Sequence, residues 1–367
     1  MIKPKIFFLE PYPIEGPSSR YRVEQLIPFF NRNGIETCVR PFMSSRFYNL
    51  RYEEGKLFKK CFFFLISSLN RWIDVIRLIR YDLVFIHLEA YPIGPPFIEW
   101  IIKKILKKPI VYDLDDAIYM RQESERNNIF GLLKCRWKIK YIIKISDFVI
   151  TCNEYLAQYV EKYNKKVIAI HTSVNTDKFV PVQNKEKDIL TIGWIGSHST
   201  TKYLYSLQNV LAQLSKDFKF KFLVIGADDF NLNLPNTDII TKEWSLKEEV
   251  EDLKKIDIGL YPLFNNEWVL GKTGFKTLLY MSIGIPAVVS NVGANKDIIE
   301  HGKNGFLVDN EKEWVEVISK LLNDANLRRE IGNNGRITVQ KNYSLDVNFK
   351  NYLKIFNKVI EDYYHEE

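Results

Sequence analysis

The chain has 367 residues, more than one hydrophobic core of ordinary size fills, so two domains are expected. Apolar residues make up 46% and charged residues 26%, the balance of a globular protein and not of a disordered or membrane-spanning one. Residues 1–190 carry 31 Lys and Arg against 21 Asp and Glu, a net of +10 that leaves −3 for the remainder; this basic half points to an anionic surface or ligand, and no nucleic-acid module accompanies it.

The opening run, MIKPKIFFLE, reads as a strand and not as a signal peptide. Strand-like runs follow at Lys5–Leu9, Ile35–Val39, Leu83–Ile86, Ile110–Tyr112, Phe148–Thr151 and Val167–Ile170. Helical patterns separate them near Ser19–Asn31, Lys56–Ile79, Pro96–Leu106, Ile129–Ile145 and Glu154–Tyr163. Such alternation predicts a parallel sheet with helices on both faces. Between Lys56 and Arg80, Lys59, Lys60, Arg71, Arg77 and Arg80 mix with Phe58, Phe62, Phe63, Phe64 and Trp72. The apolar core there, Cys61–Leu69, is too short to span a bilayer; the segment lies either at a membrane interface or against its own domain. Cys38, Cys61, Cys135 and Cys152 show no metal-ligand spacing, which argues for a reducing compartment and against a structural zinc.

The polar stretch Val182–Asp188 reads as a linker. A second series then supplies strands at Leu190–Ile195, Phe220–Ile225, Asp238–Ile240, Ile258–Tyr261, Ala287–Ser290 and Phe306–Val308. Helices are expected near Thr200–Ser215, Leu246–Lys255, Thr273–Ile283, Glu311–Asn323 and Asn326–Lys341, with a last amphipathic segment from Leu345 to Tyr363. The expected architecture is α/β: two doubly wound, Rossmann-like parallel-sheet domains, 1–185 and 186–344, facing a cleft, with the helix of 345–367 packing back on the first.

Four loops fall at strand ends, where such domains bind ligands. In the first, Gly16 permits close backbone approach, Ser18 or Ser19 can cap a helix, and Arg20 and Arg22 can clamp a phosphate or carboxylate or simply sit in solvent. In the second, Asp113, Asp115 and Asp116 cluster beyond a buried run, an arrangement that suits hydroxyl hydrogen bonds, a helix cap or a divalent ion. His87 is either a cleft residue or a core histidine with its partners satisfied. The third, Gly196-Ser197-His198-Ser199-Thr200-Thr201-Lys202, offers hydroxyls, free N–H groups and a lysine for phosphate. The fourth runs from Gly271, with Lys272, Gly274 and Lys276. If its helix starts early, the spacing of four puts both lysines on one face, where they meet either phosphate or solvent. Gly284 and Pro286 end that helix before the buried run Ala287–Ser290.

GWIGSHSTTKYL, DIGLYPLFNNEWVLGKTGFKTLLYMSIGIPAVVS and NGFLV together resemble retaining glycosyltransferases of family 4, which have the GT-B fold. GPSSRYRVEQ, YDLVFIHLEAYPIGPP and PIVYDLDDAIY agree, so the resemblance covers nearly the whole chain. It implies transfer of a sugar from a nucleotide-sugar donor, held mainly by the C-terminal domain, to a hydroxyl of an acceptor on the N-terminal one, with retention and without a required metal. Its Lys position in the first donor loop matches Lys202, but the Arg position is Ser197. Two glutamates usual in the family fall at Gly271 and Leu279, and Glu267 is displaced by four positions. The pattern is closer to relatives carrying Gly-Lys…Phe-Lys, in which Lys272 and Lys276 face phosphate. Gly16 corresponds to the glycine loop that approaches the donor, Asp115 and Asp116 to the acidic strand end beside the acceptor, and Glu243 and Trp244 to the nucleotide-base segment. Asn175 replaces an acidic residue usual before Phe179.

The resulting expectation is a cytoplasmic glycosyltransferase of surface polysaccharide assembly at the inner face of a membrane, with a glycan or lipid-linked acceptor and peripheral membrane contact through the basic N-terminal domain. Donor-side residues are Gly16, Gly196, Ser197, Thr200, Lys202, Glu243, Trp244, Lys272, Gly274 and Lys276; acceptor-side residues are Arg20, Arg22, His87, Asp115 and Asp116. Lys202, Lys272 and helix N–H groups would stabilise the leaving group, with the acceptor near Asp116. The rivals are a nucleotide-sugar epimerase or hydrolase of the same fold, a non-catalytic GT-B glycan-binding protein, and a metal-dependent Asp113/Asp115 site.

Overall fold

The computed structural model describes residues 3–51, 53, 55–120, 134–181 and 187–366. Most of the linker expected at 182–188, and the start of the helix expected from 129, lie outside the described residues. Among those described, twelve strands build two six-stranded sheets. The first takes β1 (Lys5–Glu10), β2 (Glu36–Pro41), β3 (Leu83–His87), β4 (Ile110–Leu114), β5 (Phe148–Thr151) and β6 (Val167–Ala169) in the order β2-β1-β3-β4-β5-β6. The second takes β7 (Leu190–Ile195), β8 (Phe220–Ile225), β9 (Thr237–Lys242), β10 (Ile258–Tyr261), β11 (Ala287–Ser290) and β12 (Phe306–Val308) in the order β12-β11-β10-β7-β8-β9. Every pairing is parallel. Strands buried on both faces explain the unbroken apolar runs Leu83–Ile86 of β3 and Ala287–Val289 of β11.

The chain divides into two compact units. One holds residues up to Ser173, the short segment Gly271–Thr273 and the chain from Leu345; the other holds Val174–Leu270 and Gly274–Ser344. Segment 174–181 goes with the second unit because Arg336 donates to the Thr176 carbonyl at 2.7 Å and to that of buried Phe179. The helix Leu345–Glu366 goes with the first. Its Phe356 ring lies 5.2 Å from Phe30 and 5.8 Å from Phe85, and Phe349, Tyr352 and Val359 join the same core with Ile6 and Phe8 of β1.

Local chemistry sets three departures from the expected helices. The segment expected as Ser19–Asn31 breaks into Pro17–Arg22, a 3-10 turn at Glu24–Leu26 and Ile27–Arg32. Pro28 lacks the N–H that a continuous helix needs. Thr200–Ser215 likewise divides into a His198–Thr200 turn, Thr201–Tyr205 and Gln208–Asp217. The helix expected from Thr273 starts at Phe275 instead, because Gly274 is left-handed (φ 65°). Lys272 is therefore outside that helix, and the two lysines do not share a helix face.

Candidate functional site

In an open parallel sheet, ligands collect at the carboxyl ends of strands where the strand order reverses. In the first unit β1 lies between β2 and β3, so the loop after β1 and the ends of β3 and β4 meet at that point. Ser18 comes from the first, His87 from the second, and Asp113 and Asp115 from the third. Ser18 Oγ lies 2.7 Å from His87 Nε2 and donates to Asp115 Oδ2 at 2.6 Å. His87 Nδ1 lies 2.7 Å from Asp113 Oδ2. Arg22 forks onto both Asp113 oxygens, through Nε at 3.2 Å and through Nη2, and its Nη1 donates to the Ile170 carbonyl at 2.6 Å.

Three short contacts thus join Asp115, Ser18, His87 and Asp113 in one line. Burial alone would raise the Asp113 carboxyl, but the Arg22 guanidinium and the hydrogen bond from His87 outweigh it and hold Asp113 below the usual carboxylate range. Asp115 Oδ1 is buried without a hydrogen-bond partner. Both Asp113 oxygens are engaged inside the first unit, Oδ2 by Arg22 Nε and the His87 ring and Oδ1 by Arg22 Nη2.

Three acceptor-side expectations are corrected here. Arg22 is 2% exposed and pairs with its own chain's carboxylate, so it positions Asp113 and does not line an acceptor site. Arg20 is also buried; its Nη1 donates to the carbonyls of Ile14 at 3.0 Å and Glu15 at 3.2 Å, and so braces the loop after β1. Gly16 closes that loop, since a Cβ there would stand 2.6 Å from Tyr12 Cβ. His87 resolves as a core histidine, 0% exposed, with both ring nitrogens partnered.

Asp116, next along, is half-buried; its Oδ1 accepts from the Ala117 N–H at 2.9 Å. Burial pushes its carboxyl up to about 6, the neighbouring Asp115 adds to the rise, and the Lys272 ammonium opposes it. Lys272 reaches this place because the 271–273 segment is tied down. Asn153 Nδ2 donates to the Lys272 carbonyl at 3.0 Å while its Oδ1 caps the Glu154–Glu161 helix. Cys152, a thiol that burial holds well above its usual range, donates to the carbonyls of Asp115 at 3.2 Å and Gly271 at 3.7 Å. Neither residue stood out in the sequence; the one available signal was Asn153 as an N-cap before Glu154. A Cβ on Gly271 would lie 2.7 Å from Ala117 Cβ, so the family glutamate has no room there. Gly271→Ala is expected to cost about 1–3 kcal/mol by overpacking, read as a lowered urea midpoint. Leu279, at the second glutamate position, is a core residue.

In the second unit the corresponding point lies between β7 and β10. Ser197 and Thr200 close the turn after β7: the Ser197 N–H donates to Thr200 Oγ1 at 3.0 Å, and the Thr200 N–H donates to the Ser197 carbonyl at 2.8 Å. Gly196 is obligatory, as a Cβ would stand 2.0 Å from the Trp194 ring. The Lys276 ammonium lies over that ring at 4.4 Å and over Tyr261 at 5.2 Å. Lys202 is exposed, its ammonium 5.4 Å from the Tyr203 ring centre. Trp244 Nε1 donates to Glu249 at 3.2 Å, and Glu243 is exposed. Gly274 packs against the helix Asn295–Ile298, where a Cβ would meet Ile298 at 2.7 Å. His198 sits between exposed Asp228 and Asp229, at 3.2 and 2.8 Å.

Residues 186–324 match the family model described as Glycosyl transferases group 1. The chain is 23% identical over 186 residues, 48% of each chain, to the capsular polysaccharide biosynthesis glycosyltransferase CapM of Staphylococcus aureus, and so spans about half the length of that relative. It is 22% identical over 275 residues, 69% of each chain, to an uncharacterized glycosyltransferase of Methanocaldococcus jannaschii. Among solved structures, Anabaena HepE in complex with UDP and glucose superposes with a TM-score of 0.70 at 15% identity, covering 96% of this chain and 99% of that one. A glycosyltransferase from Rickettsia africae gives 0.68 at 15% identity, covering 98% and 99%. The fold is GT-B, and the likeness to group 1 glycosyltransferases lies in residues 186–324.

Proposed function

We propose that the protein is a retaining glycosyltransferase of the hexosyl type that moves a sugar from a nucleotide-sugar donor to a hydroxyl of a glycan or lipid-linked acceptor. Its place is surface polysaccharide assembly at the inner, cytoplasmic face of a membrane, which the basic first domain contacts. The division at residues 185 and 186 belongs to this reading: an acceptor domain first, a nucleotide-sugar domain second. The observation that carries the proposal is the Asp115–Asp116 strand end with Lys272 held beside it, in a chain whose residues 186–324 match the group 1 glycosyltransferases. HepE was solved with UDP and glucose and the relative CapM is named for capsular polysaccharide, which makes UDP-sugars the first donors to test.

In this reading the second unit's loop after β7, with Gly196, Ser197, Thr200 and Lys202, and the segment Glu243–Trp244 hold the nucleotide. Lys272 takes up charge on the departing phosphate, and Asp116 orients the acceptor hydroxyl. Such fixed charges act where charge develops and need no reorganisation. No side chain is assigned as a nucleophile, and catalysis rests on positioning. No metal is assigned a role. Incubation with UDP-sugars and a lipid-linked acceptor in excess chelator is expected to give transferred sugar at the rate seen without chelator. Loss of activity on chelation, restored by a divalent ion, would overturn the metal-free assignment. Epimerised or hydrolysed donor with no acceptor product would overturn transfer itself.

A further inference from the structure

The helix Leu57–Arg77 in the first unit is built inside out. Its inward face buries Ser67, Arg71 and Asp74 beside Val75. Arg71 donates to the carbonyls of Arg40 at 3.0 Å and Glu10 at 3.1 Å, and Asp74 accepts from Arg40 Nε at 2.8 Å. Its outward face carries Phe58, Phe62, Leu65, Leu69, Trp72 and Ile76, spaced by three and four so that they form one stripe. Phe58 is 93% exposed, Leu69 66% and Ile76 69%. A surface helix of a globular protein turns its apolar stripe to the core and its charges to water. This one fixes a charged pair to the sheet and leaves an apolar stripe of about 30 Å in solvent, longer than the scattered apolar contacts of an ordinary surface.

Charge identifies the occupant. From Lys56 to Arg80 the single acidic residue is Asp74, which is buried; Lys59 and Arg80 are exposed around the stripe, as are Lys56, which pairs with Glu53, and Arg77, which also reaches Asp74 at 3.4 Å. The neighbouring elements continue the pattern. Tyr91, whose ring lies 6.0 Å from Phe64 and whose hydroxyl is 2.8 Å from Ser68 Oγ, leads to exposed Phe97 and Trp100, followed by exposed Lys104, Lys103 being paired with Asp147 at 2.6 Å. Two such stripes in a dimer would set Lys59 and Arg80 against lysine and arginine, with Glu53 beside Lys56 the one exposed carboxylate described at this helix. An anionic lipid surface supplies both what the stripe and what its flanks lack. Among the described residues no helix is long and apolar enough to cross a membrane, so the contact is interfacial.

We infer that Leu57–Arg77 lies in the plane of an anionic bilayer, its apolar stripe among the acyl chains and its basic flanks at the headgroups. This names the surface for the membrane contact in the proposed function. It is read with vesicles alone, without donor or acceptor, so its failure and that of sugar transfer are separate results. Flotation with vesicles of equal parts phosphatidylcholine and phosphatidylglycerol should carry the protein upward, and phosphatidylcholine alone should carry much less. The variant Phe62→Asp/Leu69→Asp should lose binding by about tenfold or more at an unchanged melting temperature, since both side chains face solvent. Lys59→Glu/Arg77→Glu should weaken binding to the mixed vesicles by about tenfold and leave the weak phosphatidylcholine binding unchanged. Wild-type protein that does not float, or binding that survives both variants, would overturn the inference. So would a concentration-dependent dimer abolished by Phe62→Asp in a protein that ignores vesicles, since that result gives the stripe to a second copy.

Discussion

Lys272→Ala is expected to lower the rate of sugar transfer by about 10²–10³-fold while the protein melts where the wild type does. The lysine's backbone is held by Asn153 and its loop by Cys152, so truncating the side chain leaves the segment in place. Its ammonium is the charge that opposes the rise of the Asp116 carboxyl, and this supplies a second readout. With Asp116 titrating near 6, kcat/KM should fall on the acid side as the carboxylate takes up its proton. Removing the cation disfavours the charged form, so in Lys272→Ala the acid limb should move to higher pH. Asp116→Asn should remove that limb altogether. Activity and pH profile both unchanged in Lys272→Ala would sink the assignment.

Arg22→Met should destabilise the first unit by about 3–5 kcal/mol, because it leaves Asp113 as an unpaired buried charge. Asp113 is 0% exposed and His87 is its other side-chain partner in the line. The guanidinium also lies 5.9 Å from the ring centre of Tyr352, so the C-terminal helix loses a contact too. Arg22→Met/Asp113→Asn should recover most of the loss, since the amide keeps a bond to His87 and carries no charge. The pH dependence follows from the sign of the shift. Asp113 is held below its ordinary value, so its contribution is present above the carboxylate range and is lost as pH falls through the folded value. The difference between wild type and Arg22→Met in urea midpoint should therefore shrink in acid. A single variant as stable as wild type at neutral pH would show that the pair contributes nothing.

Much of this protein could be read directly from the chain. The alternation of strand and helix, the two series, and six strands given with their final limits follow from short-range rules: periodicity, turn residues and caps act over a few residues and are written locally. The strand-end loops were legible for the same reason. The places where local reading failed are also physical. Proline 28 breaks a helix that periodicity alone continues, and left-handed Gly274 delays one by two residues, separating Lys272 from Lys276.

What only the tertiary structure decided is which distant groups meet. Ser18 and His87 are 69 residues apart, Arg22 and Asp113 are 91, and Asn153 and Lys272 are 119. Those pairings depend on the order in which strands assemble, which no local signal encodes. The same holds for the packing of Gly271 on Ala117, which leaves no room for a glutamate, and for the orientation of Leu57–Arg77. Composition shows that helix to be both apolar and basic. Only the anchoring of Arg71 and Asp74 beneath it determines that the apolar side is the one turned outward.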